Sequence, residues 1–487
     1  MAAEPPDLAT LAGSVDTEHF IIMLTEKCNL RCVFCHQVAW DAEHHARVEL
    51  EWDLLASLVP VLKRRGTRRV TLGGAGEVTV SPQWARLAEL LLAEGISVAL
   101  LSNLSRPLSG RELEIVSECQ QVTVSIDSVD PAIYHRLRWP GEVGTVLGNM
   151  ERLAALRQRK NTRQPLDWNC IVADATVSGL VQYVRTGLAL GVGNFNFLEL
   201  LKHGSLETIG AANRLDHAYS LPPGPLAQAR ETLHAALALI TGAGARYQIP
   251  PALLEWMDPA GQAYAEPAGF GPLFQPLPPS HTRLCLDAWK TGFLNADGAV
   301  TCCCASGAAD SPISAGTQLD QALSGGGIQR IREGLLSGDL APACRTCSHP
   351  AVTLDVERDA VHALHLRRAR WDAAYAAVSD LAAAARAGRQ SILVYGAGLD
   401  ASTLLACTDL PHADVCGICD PDPLEWGAWL KGFSVQPPAC IEALRPDVIL
   451  LSSARDHLEH GRQLASLGIC VVDPHAALSC GGPEEAP

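Results

Sequence analysis

The sequence predicts an α/β protein built from two units of parallel strands with a cysteine-rich region between them. Three observations lead to this fold class: short apolar runs alternate with amphipathic segments up to residue 200, six cysteines lie between residues 281 and 350, and the alternation restarts at residue 391. A strand followed by a helix, repeated, gives parallel strands joined by crossover helices. The first unit is therefore an open sheet or part of a barrel, and chemistry is expected at the C-terminal ends of its strands.

Each element follows from a local pattern. Apolar runs predict strands at 19–25, 68–74, 97–103, 121–127, 166–172 and 194–200. Pro- and Gly-rich stretches such as 266–280 are typical of loops, and a long Ala-, Arg- and Leu-rich stretch predicts a connecting helix. The predicted division is an N-terminal tail at 1–18, the first α/β unit at 19–265, the cysteine-rich region at 266–354, the connecting helix at 355–388 and the second α/β domain at 389–487.

Composition excludes several classes of protein. The formal net charge of −15 repels a phosphate backbone, so nucleic acid is not expected as a partner. No apolar stretch approaches the ~20 residues of a membrane helix, and the N-terminus lacks the pattern of a secretory signal. We therefore predict a cytoplasmic protein without membrane contact, whose 17 cysteines stay reduced. Clustered cysteines in that compartment indicate metal binding, and scattered ones indicate packing.

Three cysteines follow the first predicted strand in the stretch CNLRCVFCH, at Cys28, Cys32 and Cys35. Thiolates are soft ligands for zinc or iron–sulfur clusters, although closely spaced cysteines can also be buried apolar side chains. A structural zinc site usually takes four protein ligands, and no fourth cysteine is nearby. A [4Fe–4S] cube held by three cysteines leaves one iron open for another ligand.

This spacing, on the loop after the first strand of a βα series, resembles the radical S-adenosylmethionine (radical SAM) superfamily over roughly residues 19–203. The resemblance implies a partial (β/α)6 TIM-like barrel and a [4Fe–4S] cluster that binds S-adenosylmethionine. It also implies flavodoxin or ferredoxin as the electron donor. One electron cleaves the sulfonium, and the resulting 5′-deoxyadenosyl radical removes a hydrogen atom from the substrate.

The resemblance further implies which residues bind S-adenosylmethionine. Phe34 corresponds to an aromatic residue near adenine, and LGGAGEV corresponds to the family's Gly-Gly-Glu-Pro element, with Val78 in place of proline. Arg138 is the expected partner of the carboxylate group. The implied cofactor-binding residues of this domain are Phe34, Gly73, Gly74, Glu77, Asn103, Ser125, Asp127 and Arg138. On the fifth predicted strand, Cys170 is a candidate hydrogen-atom donor to a substrate radical, with buried packing as the alternative.

A second cysteine set resembles the auxiliary-cluster region of SPASM and Twitch radical SAM enzymes. From Cys285 there are twelve residues to Gly298 and four more to Cys303, and Cys344 and Cys347 add a C-x₂-C pair. The four cysteines predict one auxiliary [4Fe–4S] cluster. Spacing favours Cys303, although Cys302 and Cys304 stay open as ligands, and a four-thiolate zinc site is the alternative.

The last hundred residues resemble small Rossmann-like domains. Gly396 and Gly398 lie in a G-x-G-x-x-A pattern after a predicted strand, and Asp420 follows about twenty residues later. This order predicts NAD(P) or nucleotide-sugar binding. The alternative is that the glycines only permit a tight turn.

Three functions follow as hypotheses. The first is a radical SAM oxidoreductase that oxidises or epimerises a small polar metabolite, such as a sugar, an aminocyclitol or a nucleotide-linked compound. The second is modification of a peptide or protein side chain. The third is an iron–sulfur redox sensor without enzymatic activity, against which the set Phe34, Glu77, Asn103 and Asp127 argues.

Overall fold

The computed structural model describes most of the chain. The described residues are 7–13, 17–35, 48–160, 166–200, 215–250, 253, 256–257, 277–278, 280–303, 312–345, 347, 351–397, 401, 404–405, 408–422, 426, 429–430, 433–452, 464 and 466–474. Within these ranges, no helix combines the length and apolar character needed to cross a membrane.

The larger of the two main sheets has nine strands in the described ranges, in the order β10-β9-β1-β2-β3-β4-β5-β6-β7. All neighbours are parallel except β10, which is antiparallel to β9. The strands are β1 (His19–Ile22), β2 (Arg69–Leu72), β3 (Ser97–Ser102), β4 (Gln121–Ser125), β5 (Leu166–Val172), β6 (Asn194–Glu199), β7 (Arg246–Gln248), β9 (Thr291–Leu294) and β10 (Val300–Thr301). The first six of these in chain order confirm the six predicted strands, and the parallel sheet is consistent with the predicted TIM-like partial barrel.

Alternating burial explains how these strands pack. In β1, β2 and β4 every second residue is fully buried, while the residues between are half-buried. Successive side chains of a strand point to opposite faces, so one face packs against helices and the other lines the barrel interior. Trp168 of β5 and Phe195 of β6 contact the Tyr183 ring of a helix, which identifies the helix-covered face.

Helices follow the strands and cover the outside of the sheet. They begin at recognisable caps: the Ser109 side chain and Glu112 form a capping box, and Asp130 caps a helix that starts with Pro131. The described helices of this part are α1 (Leu8–Ala12), α2 (Trp52–Arg64), α3 (Trp84–Ala93), α4 (Gly110–Glu118), α5 (Pro131–Leu137), α6 (Val143–Lys160), α7 (Leu180–Ala189) and α8 (Pro223–Gly242).

The barrel sheet extends into the region predicted to be separate and cysteine-rich. Strand β9 lies in register beside β1, with His19 opposite Thr291. A side chain on Gly292 would approach the Phe20 ring to 2.4 Å, so glycine permits this pairing. The predicted boundary at residue 266 is therefore not a boundary of the sheet, because β9 supplies the outer neighbour that β1 needs.

The cysteine-rich region and the connecting helix pack against α1. This region contains β8 (His281–Arg283) and β11 (Ala351–Thr353), which pair with each other, and the helices α9 (Asp287–Lys290), α10 (Leu319–Leu323), α11 (Gly326–Ser337) and α12 (Pro342–Arg345). The connecting helix, α13, runs over Leu354–Gly388. The Leu11 carbonyl accepts a hydrogen bond from the Trp289 indole at 2.8 Å, and His365 Nε2 of α13 lies 3.2 Å from the same oxygen.

The C-terminal region forms a separate sheet with its own apolar core. Its strands, β12 (Ser391–Tyr395), β13 (Asp414–Cys419), β14 (Trp429–Leu430), β15 (Phe433–Gln436), β16 (Val448–Leu451) and β17 (Cys470–Val472), have the order β14-β15-β13-β12-β16-β17. The short helix α14 (Cys440–Leu444) follows β15. Without the antiparallel edge strand β14, the parallel strands have the order 3-2-1-4-5 of doubly wound sheets.

Candidate active site

The three-cysteine loop leaves the C-terminal end of β1 and docks on the segment after α5. The Arg31 amide donates to the Trp139 carbonyl at 2.6 Å, and the Val33 amide donates to the Leu137 carbonyl at 3.0 Å. Cys28, Cys32 and Cys35, all half-buried and reduced, lie on this loop. The loop is therefore held by backbone contacts, and its three cysteines stay only half-buried.

Burial and the neighbouring thiols raise the pKa values of Cys28 and Cys32. Burial raises the pKa of Cys32 to about 12; Arg138 lowers it, and the charges of Cys35 and Cys28 raise it further. Burial also raises the pKa of Cys28, and Cys35 contributes in the same direction. Thiolates in this position need positive charge to form, so the three-thiol set fits a cationic iron–sulfur cluster better than free thiolates.

The glycine-rich loop after β2 packs against the residues that precede Cys28. The Gly76 amide donates to the Thr25 carbonyl and the Glu77 amide to the Lys27 carbonyl, each at 2.9 Å. Gly73 and Gly74 have φ of +136° and +139°. A side chain on Gly73 would approach the Leu101 carbonyl to 2.5 Å and one on Gly74 the Met23 side chain to 2.9 Å. The predicted Gly-Gly-Glu element thus needs its glycines for backbone approach.

Glu77 joins the glycine-rich loop to the end of β3. Its buried carboxylate accepts hydrogen bonds from the Thr79 amide at 3.0 Å, the Thr79 hydroxyl at 2.6 Å, the Ser102 hydroxyl at 2.6 Å and the Asn103 amide at 2.7 Å. The Asn103 side-chain amide in turn donates to Asn29, between two of the cysteines, at 3.0 Å. Sequence reasoning missed Thr79, Ser102 and Asn29, although Asn29 lies inside the cysteine motif.

Asp127 and Arg138 form a buried ion pair beside the cysteines. Arg138 Nε donates to Asp127 Oδ2 at 2.6 Å, and the two side chains are only 8% and 2% exposed. Asp127 Oδ1 accepts from the Ile171 amide at 2.9 Å. Arg138 Nη1 lies 3.8 Å from Cys32 Sγ, and the guanidinium carbon lies 5.3 Å from the Phe34 ring centre. Both residues were expected to bind the cofactor, Arg138 through the carboxylate group, and those contacts stay predictions. The ion pair places Arg138 beside Cys32 as a counter-charge.

Ser125 and Cys170 lie on opposite faces of the sheet. Ser125 is half-buried and opposite Asn169, which in turn is opposite Asn196 on β6. The Asn196 side-chain amide donates to Asn169 Oδ1 at 2.8 Å, giving a polar row on the interior face. Cys170 is fully buried on the helix-facing side that carries Trp168, and burial raises its pKa well above the usual thiol value. This placement agrees with the packing alternative, and the hydrogen-donor role stays a prediction.

The second cysteine set is assembled from distant parts of the chain. Burial raises the pKa of Cys344 to about 11, and the charges of Cys303 and Cys347 raise it further, so both lie within electrostatic range of Cys344. Cys302 is fully buried. Burial raises the pKa of its thiol, and the charges of Cys303 and Cys344 raise it further. Cys304 lies outside the described residues, so the choice among the three adjacent cysteines stays a prediction.

Cys285 is held by an acidic residue that sequence reasoning missed. Its amide donates to both carboxylate oxygens of Glu357, at 3.2 and 3.3 Å. Glu357 is fully buried in the first turn of α13, and burial raises the pKa of its carboxyl to about 7. No local motif marks it, because the contact joins residues 72 positions apart. Among the described residues, no three or more His, Cys, Asp or Glu side chains are grouped as ligands of a single metal ion.

In the C-terminal domain, Asp420 contacts the glycine-rich turn itself. Asp420 Oδ2 accepts from the Ala397 amide at 2.6 Å, and Oδ1 accepts from the Asp422 amide at 2.7 Å. Gly396 has φ of +94°, as a tight turn requires. Gly398 lies outside the described residues. Nucleotide binding therefore stays a prediction. It rests on a tight turn and an acidic residue that lie side by side.

Comparison with known proteins adds a family match. Residues 22–163 match the family model described as the Radical SAM superfamily. A probable GTP 3′,8-cyclase of Thermococcus kodakarensis is 30% identical over 136 residues, which is 27% of this chain and 41% of that protein. A probable GTP 3′,8-cyclase of Methanococcus maripaludis is 25% identical over 201 residues, 39% of this chain and 63% of that protein. The chain thus spans less than two thirds of the length of these relatives.

Solved structures with a similar arrangement include two bound to S-adenosylmethionine. Streptococcus suis SuiB bound to S-adenosylmethionine has a TM-score of 0.45 at 14% identity, covering 66% of this chain and 68% of that chain. BtrN in complex with AdoMet and 2-DOIA has a TM-score of 0.34 at 11% identity, covering 68% of this chain and 93% of that chain.

Proposed function

We propose that this chain, which carries a radical SAM domain, reductively cleaves S-adenosylmethionine and removes a hydrogen atom from a small polar metabolite. The substrate class is a sugar, an aminocyclitol or a nucleotide-linked compound, and the outcome is oxidation or epimerisation. The observation that carries the proposal is the buried network of Glu77, Asp127 and Arg138 around the three-cysteine loop.

Cys28, Cys32 and Cys35 would hold the [4Fe–4S] cluster. When bound, the cluster supplies one electron to the sulfonium of S-adenosylmethionine, and the 5′-deoxyadenosyl radical so released abstracts hydrogen. The chain's own residues prepare the site. Arg138 keeps a positive charge beside Cys32, and Asp127 fixes its orientation. Glu77 joins the glycine-rich loop to the end of β3, because its carboxylate accepts hydrogen bonds from Ser102 and Asn103.

The polar interior of the barrel supports a small polar substrate. Ser125, Asn169 and Asn196 form a row across β4, β5 and β6 on the face away from the helices. Amide and hydroxyl groups in such a row suit a substrate with hydroxyl or amino groups, because buried polar groups need partners. The GTP 3′,8-cyclases, which are similar to part of this chain, are named for a small polar substrate of their own.

The direct test is anaerobic iron–sulfur reconstitution followed by a 5′-deoxyadenosine assay. Replacing Cys28, Cys32 and Cys35 with Ala should remove one cluster and abolish cleavage of S-adenosylmethionine with dithionite as reductant. Cys470→Ala, an exposed cysteine of the C-terminal domain, is the matched control and should retain both. Iron content and cleavage that survive in the triple variant would overturn the proposal.

We further propose that Cys285, Cys303, Cys344 and Cys347 hold an auxiliary [4Fe–4S] cluster that accepts the substrate's electron, with flavodoxin or ferredoxin reducing the first cluster. Two observations support this assignment: the Cys347 amide donates to the Cys344 carbonyl at 3.4 Å, and Cys303 lies within electrostatic range of Cys344. Replacing all four with Ala should lower the iron content while cleavage of S-adenosylmethionine stays measurable and substrate turnover is lost. Stoichiometric zinc in protein purified without oxygen would contradict it.

For the C-terminal domain we propose binding of NAD(P) or a nucleotide sugar. The strand order and the contact between Asp420 and the turn at Ala397 support it. Calorimetry with NAD, NADP and nucleotide sugars should give binding that Asp420→Ala weakens. Asp447→Ala is the matched control, because Asp447 bonds the Ser391 amide at the opposite end of β12. Equal effects of the two variants would contradict a ligand contact.

Peptide modification is the second candidate function. Incubation with nucleotides, sugars and peptides decides between the two candidate functions. The correct substrate should raise the rate of 5′-deoxyadenosine formation and should itself take up an isotope label or change in mass.

A further inference from the structure

A cleft of about 360 Å³ opens at the N-terminal ends of the barrel strands, at the opposite end from the cysteine loop. It is lined by residues at the starts of five strands, including Arg69, Gln121, Asp167, Asn194 and Arg246. Its volume lies within the ~300–1,000 Å³ of small-molecule sites. We propose that this cleft binds a small oxyanion, such as phosphate or a small carboxylate.

The charge of the cleft is the first argument. Two guanidinium groups, Arg69 and Arg246, face one carboxylate, Asp167, among its lining residues. Arg69 donates to the Gln121 side-chain oxygen, and the Gln121 amide donates to Asp167 at 2.5 Å, so a neutral amide separates Arg69 from the acid. Within the described part of the chain, Arg246 has no ion-pair partner. The cleft is thus locally positive in a chain of net charge −15.

The neutral polar side chains beside the two guanidinium groups are the second argument. Gln120, Gln121, Asn194 and Gln248 also line the cleft. Side-chain amides carry two N–H donors each, and arginine binds carboxylate and phosphate oxygens through its planar fork of donors. The lining therefore suits a small oxyanion.

The cleft is separate from the cysteine site. Asp167 precedes Ile171, whose amide binds Asp127, by four residues of β5, a separation of about 13 Å at ~3.3 Å per residue. A small ligand in the cleft does not reach the cysteine loop. Binding there is consequently independent of the proposed radical chemistry, and failure of either proposal leaves the other intact.

The test is calorimetric titration of the full chain with inorganic phosphate at constant ionic strength. Phosphate should bind the unaltered chain, and Arg246→Gln should weaken binding about tenfold or more, because a charged hydrogen bond is lost. Arg246 is exposed, so this variant is expected to fold. Arg111→Gln is the matched control, because Arg111 pairs with Glu89 on the helical surface outside the cleft.

Two ligand comparisons separate the sources of the anion. Phosphate and sulfate represent inorganic oxyanions, and glycolate and acetate represent small carboxylates. The pair that binds more strongly identifies the class of anion. The proposal is overturned if millimolar phosphate and glycolate both give no heat of binding, or if Arg246→Gln and Arg111→Gln bind phosphate equally.

Discussion

At the C-terminal ends of the barrel strands the charged side chains are buried and paired, whereas at the N-terminal ends they are more open and only partly compensated. Asp127 and Arg138 are almost completely buried and bonded directly, and Glu77 accepts four hydrogen bonds. At the other end, Arg69 reaches Asp167 only through Gln121, and Arg246 is exposed. Buried charges that are fully paired keep their positions fixed for a reaction. Charges without a complete set of partners can bind a ligand.

The largest effect is expected when the buried ion pair is broken. Arg138→Leu leaves the Asp127 carboxylate buried without its counter-charge, which should lower the free energy of unfolding by about 3–5 kcal/mol. Lys63→Gln, which breaks the exposed pair with Glu94, should cost only ~0–1 kcal/mol. Urea unfolding of both variants checks this difference, and similar losses would mean that burial does not distinguish the two pairs.

A smaller effect is expected from the backbone of the glycine-rich loop. Gly73→Ala places a side chain at φ +136° and against the Leu101 carbonyl, so it should destabilise the chain by about 1–3 kcal/mol. Gly144→Ala in α6 meets no atom within 4 Å and should stabilise by ~0.5–1 kcal/mol. Thermal unfolding should therefore move in opposite directions in the two variants, and a shared direction would contradict the account of the loop.

At the N-terminal ends of the strands, His19 should make the stability of the chain depend on pH. Burial, with Arg69, lowers the pKa of His19 to about 4, below its usual 6.5. The unfolded chain then binds a proton that the native chain does not, so stability is complete above pH 6.5 and falls as pH drops towards 4, by up to ~1.4 kcal/mol per unit. His19→Gln should remove this part of the loss between about pH 7 and pH 5. An unchanged pH dependence in urea unfolding would refute the assignment.

The smallest effect on chemistry is expected at Cys170. Because its side chain packs on the helix-facing side, Cys170→Ala should cost about 1 kcal/mol of stability and leave substrate turnover unchanged. The control is the ratio of product to 5′-deoxyadenosine in the unaltered chain. A folded variant that cleaves S-adenosylmethionine but forms no product would restore the hydrogen-donor role.

Local patterns in the sequence were sufficient to predict strands β1 to β6 and the cysteine loop. The run LDWNCIV predicts a strand at 166–172, and β5 covers Leu166–Val172. Cys28, Cys32 and Cys35 lie within eight residues, so their proximity needs no knowledge of the fold. The same holds for the connecting helix, predicted at 355–388 and found at Leu354–Gly388.

Contacts between distant residues escaped prediction. Asp127 and Arg138 each resembled a cofactor contact, and only the geometry shows that they bind each other. Glu357 reaches Cys285 across 72 positions, and β9 joins β1 across some 270 residues, with no local signal for either. The oxyanion cleft is likewise invisible in the sequence, because its lining comes from the starts of five strands between residues 69 and 246.

The pairing of β1 with β9, and the docking of α1 on Trp289 and His365, have a consequence for synthesis of the chain. Leu11 meets partners 278 and 354 positions later, and β1 keeps an unpaired edge until Thr291 is made. At ~5–20 residues per second, the ribosome needs roughly 14–54 s to synthesise the chain from His19 to Thr291. For that interval the first-made strand has one exposed row of backbone amides and carbonyls, a template for association with other chains. Chaperone demand during translation should therefore be set by residues 280–365, and a nascent chain arrested before β9 should be far more prone to aggregate than one arrested after it.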